Sequence, residues 1–94
     1  MSYSLAFRES ALKEWKKLDP PIREQFKKKL AERLERPRVE SARLSGMPDC
    51  HKIKLKSAGY RLVYQVEDKM VTVVVVAVGR RERNFVYKLA VKRV

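Results

Sequence analysis

Apolar and polar positions follow two different rhythms along the chain, and each change of rhythm marks a new element. Tyr3, Leu5 and Phe7 alternate with Ser4 and Ala6, the period-two signature of a short first strand. From Ser10 the period lengthens. Ala11, Trp15 and Leu18 share one face of a helix, Lys13, Glu14, Lys16 and Lys17 lie mostly outside it, and Asp19-Pro20-Pro21 ends it. Pro21 also suits the opening of a second helix, in which Ile22, Phe26, Leu30 and Leu34 recur every four residues while Glu24, Lys27, Lys28, Glu32 and Glu35 face water. Two antiparallel helices are predicted.

Arg36-Pro37-Arg38 interrupts this pattern, and Glu40 to Leu44 is expected to add one helical turn before the Gly46-Met47-Pro48-Asp49 turn. Period two then returns in His51 to Leu55, Tyr60 to Val66 and Met70 to Val78, joined by Ser57-Ala58-Gly59 and Asp68-Lys69. Such short loops make neighbouring strands antiparallel. The Val71 to Val78 run, nearly all β-branched, predicts a central strand buried on both faces, with the lysine-bearing strand towards one side. A last helix is expected over Glu82 to Arg93, carrying Val86, Leu89 and Ala90 on its apolar side. The order β-α-α-β-β-β-α describes an α+β fold: a small antiparallel-rich sheet with a two-helix hairpin on one face and a C-terminal helix. With 94 residues the chain is expected to form one domain over 1–94, without repeats or linkers.

Composition sharpens this picture. Apolar residues make up 45% of the chain, enough to fold despite a charged fraction of 36%. Against 11 Asp+Glu stand 23 Lys+Arg, a formal charge of +12 that attracts polyanions, nucleic acid first and an acidic protein second. The longest apolar run, Val73 to Val78, is too short to span a bilayer, and Met1 to Phe7 meets Arg8 and Glu9 at once, which does not fit a signal peptide. A cytoplasmic protein with no membrane partner is expected. Cys50 and His51 are the only cysteine and histidine, so no disulfide framework, metal or other cofactor is expected.

Strand alternation places Lys52, Lys54 and Lys56 on one face and His51, Ile53 and Leu55 on the other. The apolar set belongs against the helices, which leaves three ammonium groups in a row about 6.6–7 Å apart. Arg61 on the next strand is positioned to join them, and Arg80, Arg81 and Arg83 are expected to gather where the last helix begins, an anion-favouring end. One solvated lysine protects a sheet edge, but six or seven converging cations repel one another and suit a phosphate backbone. Tyr87, four residues after Arg83, reads either as a half-buried cover for the sheet or as a platform for an unstacked RNA base. Cys50 and His51 point to opposite faces and form no ready dyad, and Asp49, Glu67 and Asp68 lack the pairing of a two-metal nuclease site.

Lys52-Ile53-Lys54, Gly59-Tyr60-Arg61-Leu62-Val63-Tyr64, Val78-Gly79-Arg80-Arg81-Glu82 and Val86-Tyr87 resemble the RelE family of toxin-antitoxin toxins, over essentially the whole chain. Ala11-Leu12-Lys13-Glu14-Trp15, Arg23-Glu24-Gln25 and Gly46-Met47-Pro48-Asp49-Cys50 are similar to that family's prototype pattern. The resemblance implies a RelE-like fold of the microbial ribonuclease type. It also implies a ribosome-dependent endoribonuclease that cuts mRNA in the A site of the 70S ribosome, neutralised by an acidic, RelB-like cognate antitoxin with which it binds operator DNA. By the same resemblance Lys54 is the base, Arg81 serves the leaving 5′-oxygen, Lys52 and Arg61 hold the phosphate, and Tyr87 stacks on a base. Lys56, Arg80 and Arg83 would add RNA and ribosome contacts. The prototype pattern has a tyrosine at His51, an arginine at Lys56 and a lysine at Arg80. A lysine is a poor base unless its pKa is lowered, and Lys52, Lys56, Arg61 and Arg81 are the cations expected to lower that of Lys54. A gyrase-binding toxin of ParE type and a non-catalytic RNA-binding module are the competing readings. An extended antitoxin would wrap the basic surface and displace the last helix from Glu82 onward, which few apolar residues tie down.

Overall fold

A computed structural model describes residues 2–94. The chain runs through β1 (Ser4–Phe7), α1 (Glu9–Lys16), α2 (Pro20–Glu35), a 3-10 turn (Glu40–Ala42), β2 (Cys50–Leu55), β3 (Tyr60–Glu67), β4 (Thr72–Arg80), a second 3-10 turn (Glu82–Asn84) and α3 (Phe85–Arg93). The four strands form one sheet in the order β1-β4-β3-β2. Strands β2, β3 and β4 pair antiparallel, as their short loops dictate, whereas β1 lies parallel to β4. Asp19 stands at the N-cap position of α2 in an extended conformation, its backbone carbonyl accepting from Ile22 and Arg23, and Pro20 takes the first helical position, where its missing N–H leaves no bond unmade.

Both faces of the sheet are covered. Ala11, Leu18, Phe26 and Leu30 of the helical hairpin pack on Ile53, Leu55, Leu62, Tyr64, Val66, Val73, Val75 and Val78. Trp15 bridges Phe7 and Phe26, with ring centroids 5.2 and 6.3 Å away. On the other face Val86 and Ala90 of α3 cover Val63, Val76 and Ala77, with Met47 and Cys50 beside them. The β-branched β4 is thus buried on both sides, as its composition predicts. It starts two residues later than the pattern suggests: Val71 adopts a left-handed φ of 48° and donates its N–H to the Asp68 carbonyl, so Met70 and Val71 belong to the turn.

A second departure has larger consequences. Val63 pairs with Ala77 and Tyr64 with Val75, which leaves Val76 as an extra residue in β4. Val75 and Val78 face the helical hairpin, while Val76 and Ala77 both face α3. Beyond this bulge the alternation is inverted. Gly79 therefore points under α3, where an added Cβ would lie 3.4 Å from Val86 Cγ2, and Arg80 turns to the other face with its guanidinium 5.4 Å above the Tyr60 ring.

Side chains close the edge of β4 where β1 has ended. Arg93 Nη1 donates to the Val76 carbonyl at 2.9 Å, and the guanidinium grips Glu14 with two 3.0 Å bonds. Glu14 Oε1 also accepts the Val78 N–H at 3.2 Å. The final helix, expected to be held by few apolar residues, is also tied to α1 around the sheet edge. Elsewhere, buried His51 stacks on Tyr64 at 5.5 Å, and the Tyr64 hydroxyl donates to the Pro37 carbonyl and accepts from Arg33. Burial, with Arg38 and Arg33 nearby, holds the His51 pKa below its ordinary value against the opposing hydrogen bond to the Asp49 backbone.

Two stability predictions follow from these contacts. Arg93→Ala strands the partly buried Glu14 carboxylate and the Val76 carbonyl, so chemical denaturation is expected to show a loss of about 1–3 kcal/mol; an unchanged midpoint would reduce the pair to a surface contact. The unfolded chain protonates His51 more readily than the folded one, so its contribution is complete above about pH 6.5 and is lost as pH falls toward the depressed folded value. His51→Gln is expected to flatten the fall in stability between about pH 7 and 5, and an identical slope in the variant would refute the assignment.

Candidate nucleic-acid interface

The interface begins with edge strand β2. Ile53 and Leu55 are drawn into the core, which fixes Lys52, Lys54 and Lys56 on the opposite face. Helix α3 packs on β4 and β3, and the lysines of β2 lie beyond them: Lys54 and Lys56 are exposed and Lys52 is half-buried. Lys54 pairs across the ladder with Arg61, and Arg61 with Gly79. Opposed Cβ atoms in such a ladder lie about 4.5–5.5 Å apart, so Lys54 faces one cation across the strands and has two more along its own. Lys52, then partial desolvation, Arg61 and Lys56 push the Lys54 amine below its ordinary pKa. Arg81, expected to contribute, is not among the groups responsible.

Arg81 is positioned by the hairpin between β2 and β3. Gly59 adopts a φ of 72°, which only glycine takes without strain, and its carbonyl accepts the Arg81 N–H at 2.9 Å. The Arg81 Nε lies 3.9 Å from where a Gly59 Cβ would stand. The guanidinium of Arg81 is thereby held beside the loop that carries Tyr60 and Arg61. Among the described residues the ion pairs are Lys27 with Glu24, Arg38 with Asp49 and Asp68, Arg43 with Glu40, and Arg93 with Glu14. Among these described residues no carboxylate pairs with Lys52, Lys54, Lys56, Arg61 or Arg81.

Three expected members are placed differently. Arg80 leaves the lysine face because the Val76 bulge inverts β4, and it sits over Tyr60 instead. Arg83 lies outside the last helix: Arg83 and Asn84 take left-handed φ values of 47° and 58°, and α3 starts only at Phe85. Two consecutive residues in this region cost on the order of 1–3 kcal/mol each, and the kink removes the helical spacing that was to align Arg83 with Tyr87. Tyr87 is half-buried against the Val63, Val76 and Ala77 cluster, its hydroxyl enclosed and without a hydrogen-bond partner. That is the sheet-covering arrangement of its two readings.

Other residues join the surface unannounced. Gln25 and Lys29 of α2 line a shallow cavity with Lys54, Leu55 and Lys56, and Arg33 lines another with Lys52, Lys54 and Lys56. Residues 25, 29 and 33 are four apart, so one helical stripe places all three beside β2. That spacing is visible in the sequence, but the strand it borders is not. Near the start of α3, Phe85 and Lys88 line an open cavity with Gly79, Arg80, Glu82 and Arg83. Among the described residues no three His, Cys, Asp or Glu side chains cluster, and no helix is long and apolar enough to cross a membrane.

A family model for the ParE toxin of the type II toxin-antitoxin system parDE matches residues 5–85. The mRNA interferase toxin RelE of Escherichia coli K12 is 63% identical over 94 residues, covering 100% of this chain and 99% of that protein. A free mutant of the E. coli toxin RelE superposes with a TM-score of 0.92 at 61% identity, over 100% of this chain and 99% of that one. The toxin in the intact E. coli RelBE toxin-antitoxin complex gives a TM-score of 0.84 at 62% identity, over 87% of this chain and 100% of that one.

The electrostatics of the lysine row can be measured without substrate. Titration of the lysine side chains by heteronuclear NMR is expected to place Lys54 below the other exposed lysines, and Lys52→Met to raise its pKa. A Lys54 titration unaffected by that substitution would show that the neighbouring ammonium does not govern it.

Proposed function

The chain belongs to the RelE toxins of the RelE/ParE toxin-antitoxin superfamily, endoribonucleases that act as mRNA interferases, and from that premise we propose that it cleaves mRNA in the ribosomal A site by metal-free attack of a 2′-hydroxyl. One observation carries the proposal. Lys54 stands among Lys52, Lys56 and Arg61 with no carboxylate beside it, so its amine gives up a proton more readily than an isolated lysine.

An RNA strand brings its own nucleophile, so the protein must supply a base, charge stabilisation and alignment. The neutral Lys54 amine takes the 2′-hydroxyl proton, and the 2′-oxygen attacks the adjacent phosphorus. A 2′,3′-cyclic phosphate forms as the bond to the 5′-oxygen breaks. Lys52 and Arg61 hold the phosphate and its developing charge. Arg81 faces the charge on the leaving oxygen, which takes a proton from water and departs as a 5′-hydroxyl. Arginine holds its own protons too tightly to be the natural donor, so its part is electrostatic. Tyr87, half-buried on α3, helps orient the nucleotide in this reading. Lys56, Arg80 and Arg83 add contacts to the polyanion. A base that is mostly protonated at neutral pH is a weak catalyst alone, and positioning of the substrate by the ribosome compensates for it.

The same uncompensated charge suits an acidic antitoxin of RelB type, and the toxin–antitoxin pair would bind operator DNA in the cytoplasm. The gyrase-directed alternative has the ParE name of the family model in its favour. Against it, the 63% identical full-length relative is an mRNA interferase.

The decisive experiment maps 5′ ends of a defined mRNA on programmed ribosomes with an open A site, beside the same RNA free in solution. Cutting is expected only on the ribosome and within the A-site codon. Lys54→Ala is expected to slow it by about 10²–10⁴-fold while ribosome binding changes little, because the other cations supply most of the affinity. Intact mRNA with folded protein would overturn the proposal, as would a Lys54→Ala variant that cuts at the wild-type rate.

A further inference from the structure

Of the residues lining the cavity at the start of α3, only Arg80 and Arg83 have a role above, as contacts to the polyanion. It encloses about 520 Å³ and is lined by Gly79, Arg80, Glu82, Arg83, Phe85 and Lys88. A volume of this order is within the range of small-ligand pockets. Its lining is largely apolar, and Phe85 leaves 55% of its surface open to solvent. An exposed phenylalanine on the first turn of a helix is unexplained by packing, since Val86 and Ala90 already seat α3 on the sheet. The left-handed pair Arg83 and Asn84 turns the chain just before it, so that the helix begins at Phe85 and not at Glu82.

The chemistry of the rim narrows the occupant. Arg80, Arg83 and Lys88 outnumber the one carboxylate, Glu82. An aromatic face amid cations fits an unpaired base whose flanking phosphates meet the surrounding charges. The cavity also lies one strand away from the lysine row. Gly79 lines it and is the ladder partner of Arg61, which in turn pairs with Lys54. A strand of RNA lying across Lys54 and Arg61 therefore reaches the cavity one strand spacing further on.

We propose that this cavity is a nucleobase subsite, in which Phe85 stacks on an unpaired base of the bound RNA and Arg83 and Lys88 contact its backbone. The proposal rests on the RNA-cleaving reading above, yet it can be tested apart from cleavage. Phe85 is a binding residue in this account, and no bond is made or broken there.

The test uses a short, 2′-O-methylated RNA carrying 2-aminopurine at successive positions, titrated into the full-length wild-type protein. Stacking on Phe85 is expected to change the 2-aminopurine emission at one position. Phe85→Ala is expected to abolish that change and weaken binding about tenfold while leaving its salt dependence intact; Phe85→Trp is expected to restore both signals. Lys88→Ala is expected instead to lower the salt slope by about one unit. Thermal melting of each variant verifies folding, and the exposed position of Phe85 makes Phe85→Ala compatible with it. Equal affinity and an unchanged emission profile in Phe85→Ala would overturn the subsite, even with A-site cleavage intact. Conversely, a Phe85-dependent signal without any cleavage on ribosomes would sustain the subsite and remove the nuclease reading. Loss of affinity in Phe85→Ala for a polyglutamate peptide but not for the RNA would assign the cavity to an acidic protein and overturn the proposal.

Discussion

Strand β4 must satisfy helices on both of its faces, and the extra residue Val76 decides which side chains each one meets. Without the bulge, strict alternation would carry Gly79 toward the helical hairpin and Arg80 beneath α3, where Val86 now packs. A charged side chain in that position has no partner among the apolar residues around it. The bulge removes the conflict by placing the residue without a side chain under α3. Beside it, on the edge of β4 that β1 leaves open, the Glu14–Arg93 pair accepts from the Val78 N–H and donates to the Val76 carbonyl. One irregularity thus links the seating of α3, the direction of Arg80 and the ion pair joining α1 to α3.

Like charges on β2 and β3 are held together against their own repulsion because the backbone leaves them no alternative. Ile53, Leu55 and Leu62 are anchored in the core, and one-residue slippage would bring lysines inside. The register that buries these three residues therefore fixes Lys54 opposite Arg61. Repulsion that lowers the stability of the charged amine is the same interaction that makes Lys54 a better proton acceptor. Structure and chemistry here share a single cause: apolar burial on one face enforces charge crowding on the other.

Much of this was legible in the chain itself. Periodicity found the strands and helices with errors of a few residues at their ends, and alternation found the face of Lys52, Lys54 and Lys56. Both depend on neighbours in sequence, where the spacing of side chains follows from the geometry of the element alone. The basic composition pointed to a polyanion, and the quoted motifs pointed to a toxin family that the comparisons then bore out.

Tertiary structure decided what local spacing cannot encode. The parallel pairing of β1 with β4 joins segments far apart in the chain, and the Val76 bulge is stabilised by contacts from both ends of the sequence, Glu14 and Arg93. Arg80 accordingly points away from the lysine row with which it was expected to converge, and Arg83 precedes the helix on which it was expected to lie. Gln25, Lys29 and Arg33 share one helical stripe, but only the packing of α2 beside β2 brings them to the lysine row. The sequence by itself determined the elements, the charge and the lysine face, because each arises from one residue and its near neighbours. Only the folded chain decided which cations meet, because that depends on a single inserted residue and on packing between elements that sequence distance keeps apart.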